Sequence, residues 1–287
     1  MLNRQKILLY MVHSAGQPVS RLELVKWAFL LRRESGLGDS EPFYDFLPYR
    51  YGPFSFTLQH EVTALVRDGF LVEPDDKHWA ATPATSGAMK NLSTEHAAKV
   101  HSTLASVAGK TVDEVIEHVY DRYPWYAVNS KRQRRPHVER PVAEARIYTT
   151  GYEGLSVDAF FDRLLRRGAR RLVDVRKNPV ARRYGFHKST LQRICDNVGL
   201  SYEHRPSMGI PSEWRRNLDS GDDYERLFSR YESEVLPREA DTVSALSEEV
   251  SRESSVLVCM ESDPALCHRT RLARALSGQN RLEIVNW

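Results

Sequence analysis

Cysteine is scarce in this chain: three residues among 287, an odd number. That excludes a disulfide framework and fits a reducing compartment. No run of apolar residues approaches the ~18 needed to cross a bilayer. The stretch from Met1 to Pro18 is too short and too interrupted for a secretory signal. A cytoplasmic protein without a membrane partner is therefore expected. Also missing are a C-x-x-C pair, a G-x-G-x-x-G or Walker sequence, internal repeats and low-complexity segments. A tightly held dinucleotide or ATP is accordingly not expected, and no cofactor is assigned.

What is present describes a globular chain, 41% hydrophobic and 28% charged, long enough for two cores. The formal charge of +3 is small, but its distribution is uneven. Lys131, Arg132, Arg134, Arg135 and Arg140 face one acid, Glu139. A second basic run lies between Asp162 and Arg183. Each run reads either as a solvated face or as a phosphate-contacting surface.

Up to about residue 85 the pattern is helix, helix, helix, hairpin. Asn3 to Ser14 carries Ile7, Leu8, Tyr10 and Met11, and Gly16-Gln17-Pro18 breaks it. Ser20-Arg21-Leu22-Glu23 is a capping box opening a helix with Leu22, Val25, Phe29 and Leu30 inward. A third helix runs from Ser55 to Asp68, and Phe70-Leu71-Val72 with His78-Trp79-Ala80 flank a turn. That order predicts a winged-helix-like domain over 1–128. Two further helices, near 93–107 and 111–123, complete it, and a basic linker over 129–144 follows. The aromatic-rich segment Phe43 to Ser55, ending Tyr51-Gly52-Pro53-Phe54-Ser55, resembles helix-turn-helix modules of SocA-like (Panacea) proteins over roughly residues 5 to 73.

From Ala145 strands alternate with helices, which predicts an α/β domain over 145–287, a Rossmann-like, mostly parallel sheet flanked by helices. Its centre is Ser255 to Leu276. Val256-Leu257-Val258 reads as a buried strand, and Asp263-Pro264 as the start of a helix with Leu266, Leu272, Ala273 and Leu276 inward. Four loop motifs, TTGYEG, LVDVRKNPVARRYGF, YEHRPSMGIPSEWR and VCMESDPALCHRTRLA, resemble in order the bacterial domain-of-unknown-function 488 family. Ala181 and Met208 depart from its usual serine and leucine. The resemblance implies a Rossmann-type domain associated with nucleic-acid repair and defence genes.

With a parallel sheet, all four loops leave carboxyl ends of strands and converge on one cleft. Glu261, Asp174, Cys267 and His268 are the catalytic candidates, with Glu261 the acid–base or stabilising carboxylate. Thr150, Gly151, Tyr152, Arg176, Arg182, His204 and Arg269 are the ligand- or phosphate-binding candidates. Lys131, Arg132, Arg134 and Arg135 are the nucleic-acid contacts. Cys259 reads as a buried small hydrophobe. Cys267, in the first turn of a helix beside Arg269, reads as a thiol of lowered pKa. Cys259, Cys267 and His268 are possible zinc ligands, but adjacent residues rarely share one ion, so no metal is assigned. The function expected is a nucleic-acid-acting protein, with DNA as partner, doing hydrolytic or base-directed chemistry in repair, processing or defence. The alternative is a ligand-sensing DNA-binding regulator, or a toxin–antitoxin or phage-defence component without catalysis.

Overall fold

The computed structural model describes residues 1–132, 137–181, 183–216 and 218–287. It divides between Glu139 and Arg140 into two units. Arg134 and Arg135, named above as nucleic-acid contacts, lie outside the described residues, as does Arg182. No helix among the described residues is long and apolar enough to cross a membrane.

The first unit forms as its periodicity predicts. Helices occupy Asn3–Ser14, Arg21–Glu34 and Phe56–Arg67, the second with the expected capping box at Ser20. Helices Thr94–Val107 and Val112–Arg122 follow. Three strands escape a reading of the sequence because each is too short to show alternation. Strand β1 (Val19–Ser20) adds to the hairpin of β4 (Leu71–Val72) and β5 (His78–Ala81), giving the order β1-β5-β4. Strands β2 (Leu47–Tyr49) and β3 (Gly52–Phe54) form a second hairpin inside the aromatic segment. The turn there needs Gly52, at φ +91°, since a Cβ would also strike the Tyr120 ring. Leu22, expected inward, is 38% exposed on the outer side of its helix. Val25, Phe29 and Leu30 are buried as expected, together with Leu24, Ala28 and Leu31.

Both ends of the segment read as a linker are tied down within their own units. Asn129 and Lys131 donate to the carbonyls of Pro48 and Arg50. The Arg140 guanidinium donates to Val198, Gly199 and Ala169 carbonyls.

The second unit is α/β, with a five-stranded parallel sheet flanked by helices. Its strands are β6 (Ile147–Gly151), β7 (Arg171–Asp174), β8 (Ser201–His204), β9 (Ser255–Cys259) and β10 (Ile284–Asn286). They lie in the order β10-β6-β9-β7-β8, every pair parallel. The stretch Ser255–Cys259 is thus the central strand, wholly buried. Side chains of a strand alternate between faces. Leu257 and Cys259 pack with Leu246, Leu272 and Leu276 of helices Ala240–Arg252 and Arg269–Asn280. Val256 and Val258 therefore meet the other layer. The connection after β6 runs toward β7, whereas that after β9 runs the opposite way, to β10. Such a reversal opens a crevice at the carboxyl ends of the strands.

The helix expected from Asp263 does not start there. Asp263 and Pro264 cap only a 3-10 turn, Pro264–Leu266, and the chain is extended again at Cys267 before helix Arg269–Asn280. Leu266, expected inside, is consequently 42% exposed.

One group of the first unit makes its stability pH-dependent. The Lys26 ammonium is fully buried and donates to the Pro53 carbonyl at 2.8 Å. Burial, with a smaller contribution from Arg132, lowers its pKa from 10.5 to about 7. Between these two values the unfolded chain holds a proton that the folded one has lost. Stability therefore rises with pH across that window, by up to about 1.4 kcal/mol per unit from this group alone. Lys26→Met is expected to raise the urea midpoint at neutral pH and to flatten the climb toward pH 10. A profile parallel to that of the parent protein would exclude Lys26 as its origin.

Candidate functional site

The residues singled out in the second unit fall into two adjoining clusters. The first is a sealed ion pair. Asp174 closes β7 and is completely buried. Arg176 grips it with two parallel bonds, Nε to Oδ1 at 2.8 Å and Nη2 to Oδ2 at 2.6 Å, and Tyr202 donates to Oδ2 at 2.8 Å. Arg176 Nη1 donates to the Tyr152 hydroxyl and the Phe186 carbonyl. Tyr152 stacks on Phe186, with ring centroids 4.1 Å apart. His204 Nε2 donates to the Arg176 carbonyl. Expected as a bidentate phosphate ligand, Arg176 instead spends its donors on the protein.

The second cluster surrounds the end of β9. Cys259 Sγ lies 3.2 Å from Glu261 Oε2 and 3.9 Å from His268 Nδ1. Cys267 Sγ is also 3.9 Å from that nitrogen. His268 Nε2 is 3.1 Å from the Val175 carbonyl. A carbonyl only accepts, so Nε2 carries the proton and Nδ1 faces the two sulfurs. Cys267 and His268, adjacent in sequence, reach one point because the backbone turns from extended at Cys267 (φ −138°, ψ 134°) to helical at His268 (φ −60°, ψ −22°).

The thiols exchange the roles expected of them. The bond from Cys267, outweighing burial, holds Cys259 well below the usual thiol range. Burial pushes Cys267 well above it. Cys267 is not in a helical first turn, which removes the basis for its expected activation. Burial, reinforced by Cys259, also raises Glu261 above the ordinary carboxylate range. A carboxylate and a thiolate this close do not readily both carry charge.

Arg269 holds the cluster in place. Only 1% exposed, it donates to the Glu261 carbonyl at 2.6 Å, to that of Ser262 at 3.2 Å and to Thr149 Oγ1 at 3.4 Å. Expected as a phosphate ligand, it is a positioning residue. Gly151 permits the same approach: a Cβ there would lie 1.8 Å from the Glu261 carbonyl oxygen. Thr150 donates to the Trp287 carbonyl, and Tyr152 N–H to that of Met260.

Glu261, Cys267 and His268 line a cavity of about 310 Å³. Its other walls come from Ile210, Arg215 and Leu218 of the loop after β8 and from Tyr224, Leu227 and Phe228 of helix Gly221–Arg230. Arg215 reaches Glu261 Oε1 at 3.5 Å. A smaller cavity of about 180 Å³ lies beside it, with Arg176, Lys177, Cys259 and again Arg215 in its lining. Buried Tyr231 packs edge-on against the His268 ring at 5.4 Å, where the helix widens into a π turn over Tyr231–Val235. Neither Arg215 nor the aromatic wall was singled out from sequence. Arg215 sits in the motif YEHRPSMGIPSEWR, where nothing local distinguishes it from its neighbour Arg216.

Residues 156–276 match a family model, Domain of unknown function DUF488. The match supports, for the C-terminal unit, the resemblance carried by its loop motifs. No curated protein and no solved structure matches the chain.

Removing one partner of the sealed pair should be costly. Arg176→Met leaves the Asp174 carboxylate buried with only Tyr202 and the backbone N–H of residue 176 as donors, a loss of about 3–5 kcal/mol. Urea unfolding of the full chain reads this directly. A change below about 1 kcal/mol would mean that water reaches Asp174 and that the pair is not structural.

Proposed function

We propose that the C-terminal unit is a hydrolase directed at the base of a nucleotide or nucleic acid, with Glu261 as its acid–base carboxylate. The observation that carries this reading is the composition of the larger cavity. A flat heterocycle suits a wall of Tyr224, Leu227 and Phe228, with Glu261, His268 and Arg215 as its polar contacts. Phosphoryl chemistry is less well served, because Arg176 and Arg269 direct their donors to protein groups. In the reaction proposed, water adds across a C–N bond of the base or its glycosidic link. Glu261 takes the proton of the attacking water and returns it to the departing nitrogen.

The N-terminal unit, in this reading, binds the nucleic acid. Its helices and three-stranded antiparallel sheet support a winged-helix-like description and go with the SocA-like resemblance. Lys131 and Arg132 begin the basic segment, although Arg132 also pairs with Asp113 at 2.8 Å. The setting proposed is DNA repair, processing or defence.

Two experiments test the two halves. The full chain, incubated with nucleosides, single-stranded DNA and RNA, should release a base or exchange an exocyclic amine for oxygen, read by mass spectrometry. Glu261→Gln should abolish that change, and Arg215→Ala should raise KM more than it lowers kcat. Binding without chemistry on any of these substrates would remove the enzymatic reading in favour of the ligand-sensing regulator.

For the second half, affinity for duplex DNA should fall steeply with salt, since each neutralised phosphate releases counterions. Replacing Arg132, Arg134 and Arg135 by alanine should lower both affinity and slope, by about 0.9 in slope for each phosphate that is no longer neutralised. An unchanged slope would assign these charges to a solvated surface.

A further inference from the structure

We infer that Cys259, Cys267 and His268 form a binding site for one zinc-class divalent ion, with the fourth coordination position open to the larger cavity. Their ligand atoms lie within 4.8 Å of one another, and all three residues are buried. Zn–S bonds of about 2.3 Å and Zn–N bonds of about 2.0 Å put tetrahedral ligand atoms roughly 3.5–3.8 Å apart. The 3.9 Å from His268 Nδ1 to each sulfur is close to such an edge. The remaining edge, between the two sulfurs, is within 4.8 Å, so the thiols would close by up to about 1 Å on binding an ion.

Three features argue for an ion rather than a self-contained hydrogen-bonded cluster. First, 3.9 Å lies at the far end of any hydrogen bond to sulfur, so Nδ1 is poorly served by thiols although it is buried. Second, the bond from His268 Nε2 to the Val175 carbonyl is the outer contact that fixes the tautomer of a ligating imidazole and aims its lone pair. Third, two thiolates and an imidazole select zinc over magnesium or calcium, which take oxygen. Three protein ligands with a fourth position facing a cavity is the arrangement of a catalytic zinc rather than a structural one. Cys267 and His268 line that cavity together with Glu261, whose carboxylate stands beside Cys259. A carboxylate two residues from a ligand is suitably placed to take a proton from metal-bound water. That last point rests on the base-directed reading; the ligand set does not.

The test needs no substrate. The full chain, purified under reducing conditions and stripped with a chelator, is reloaded with Zn2+ or Co2+. About one equivalent of zinc should be retained after desalting. The cobalt form should show sulfur-to-cobalt charge transfer and the intense ligand-field bands of a tetrahedral site. Cys259→Ser, Cys267→Ser and His268→Gln should each weaken binding at least a hundredfold, whereas Cys195→Ser, at a cysteine buried in the helix Lys188–Val198, should leave it unchanged. Circular dichroism identifies any variant that fails to fold, and the parent protein alone suffices to decide. Less than a tenth of an equivalent of zinc, together with no cobalt bands, overturns the inference. So does an intact mass short by two hydrogens, which would make the pair a disulfide couple. A protein that binds zinc but transforms no base keeps this site and loses the preceding reading.

Discussion

Much of the second unit's functional end depends on one buried arginine. Arg269 carries a full charge into a place with almost no water, and its donors go to two loop carbonyls and a threonine hydroxyl. Burying a charge that way is tolerable only if the acceptors stay in position. The loop after β9 is therefore fixed at Glu261 and Ser262, and the backbone of β6 must let it come close. Gly151 meets that requirement by having no side chain where the Glu261 carbonyl sits. Once the carbonyl of Glu261 is fixed, its carboxylate projects toward Cys259 and the cavity. The glycine, the arginine and the carboxylate are thus parts of one device.

A second buried arginine has a related role on the neighbouring strand. Arg176 and Asp174 bracket Val175, and the Val175 carbonyl holds His268. The ion pair fixes the backbone on either side of the residue that orients the imidazole. Burying such a pair gains little stability in itself, because desolvation of both charges offsets their attraction. What it provides is position. The loop motifs offer their arginines as hands for a ligand, but Arg176 and Arg269 are struts for the groups that would touch one.

The reach of the sequence follows from how local each signal is. Helices with several turns of apolar spacing, such as Asn3–Ser14 and Arg21–Glu34, were legible because each turn repeats the pattern. The central position of Ser255–Cys259 was legible because only a strand covered on both faces is apolar throughout. Two-residue strand β1 and three-residue strands β2 and β3 carry no period to read. Asp263-Pro264 is a good opening for a helix, yet the chain extends again at Cys267, since the cluster around His268 claims those residues. Arg215, Tyr224 and Phe228 lie far along the chain from Glu261 and meet it only through the path of the loop after β8. No pattern within a window of ten or fifteen residues contains that path.

The pair Cys267-His268 shows where spacing ceases to be a guide. Ligand spacings such as C-x-x-C are local rules, and adjacent side chains on a regular backbone diverge. Between these two residues the backbone passes from extended to helical, and the divergence is cancelled. The change of conformation is itself forced from outside. Cys267 must leave the 3-10 turn begun at Pro264, and Arg269 must enter the helix with its guanidinium beneath the β9 loop. Cys267 and His268 occupy the junction between those two demands. Their convergence on one point follows from the same buried arginine that places Glu261, so the thiols, the imidazole and the carboxylate are brought together by a single packing constraint.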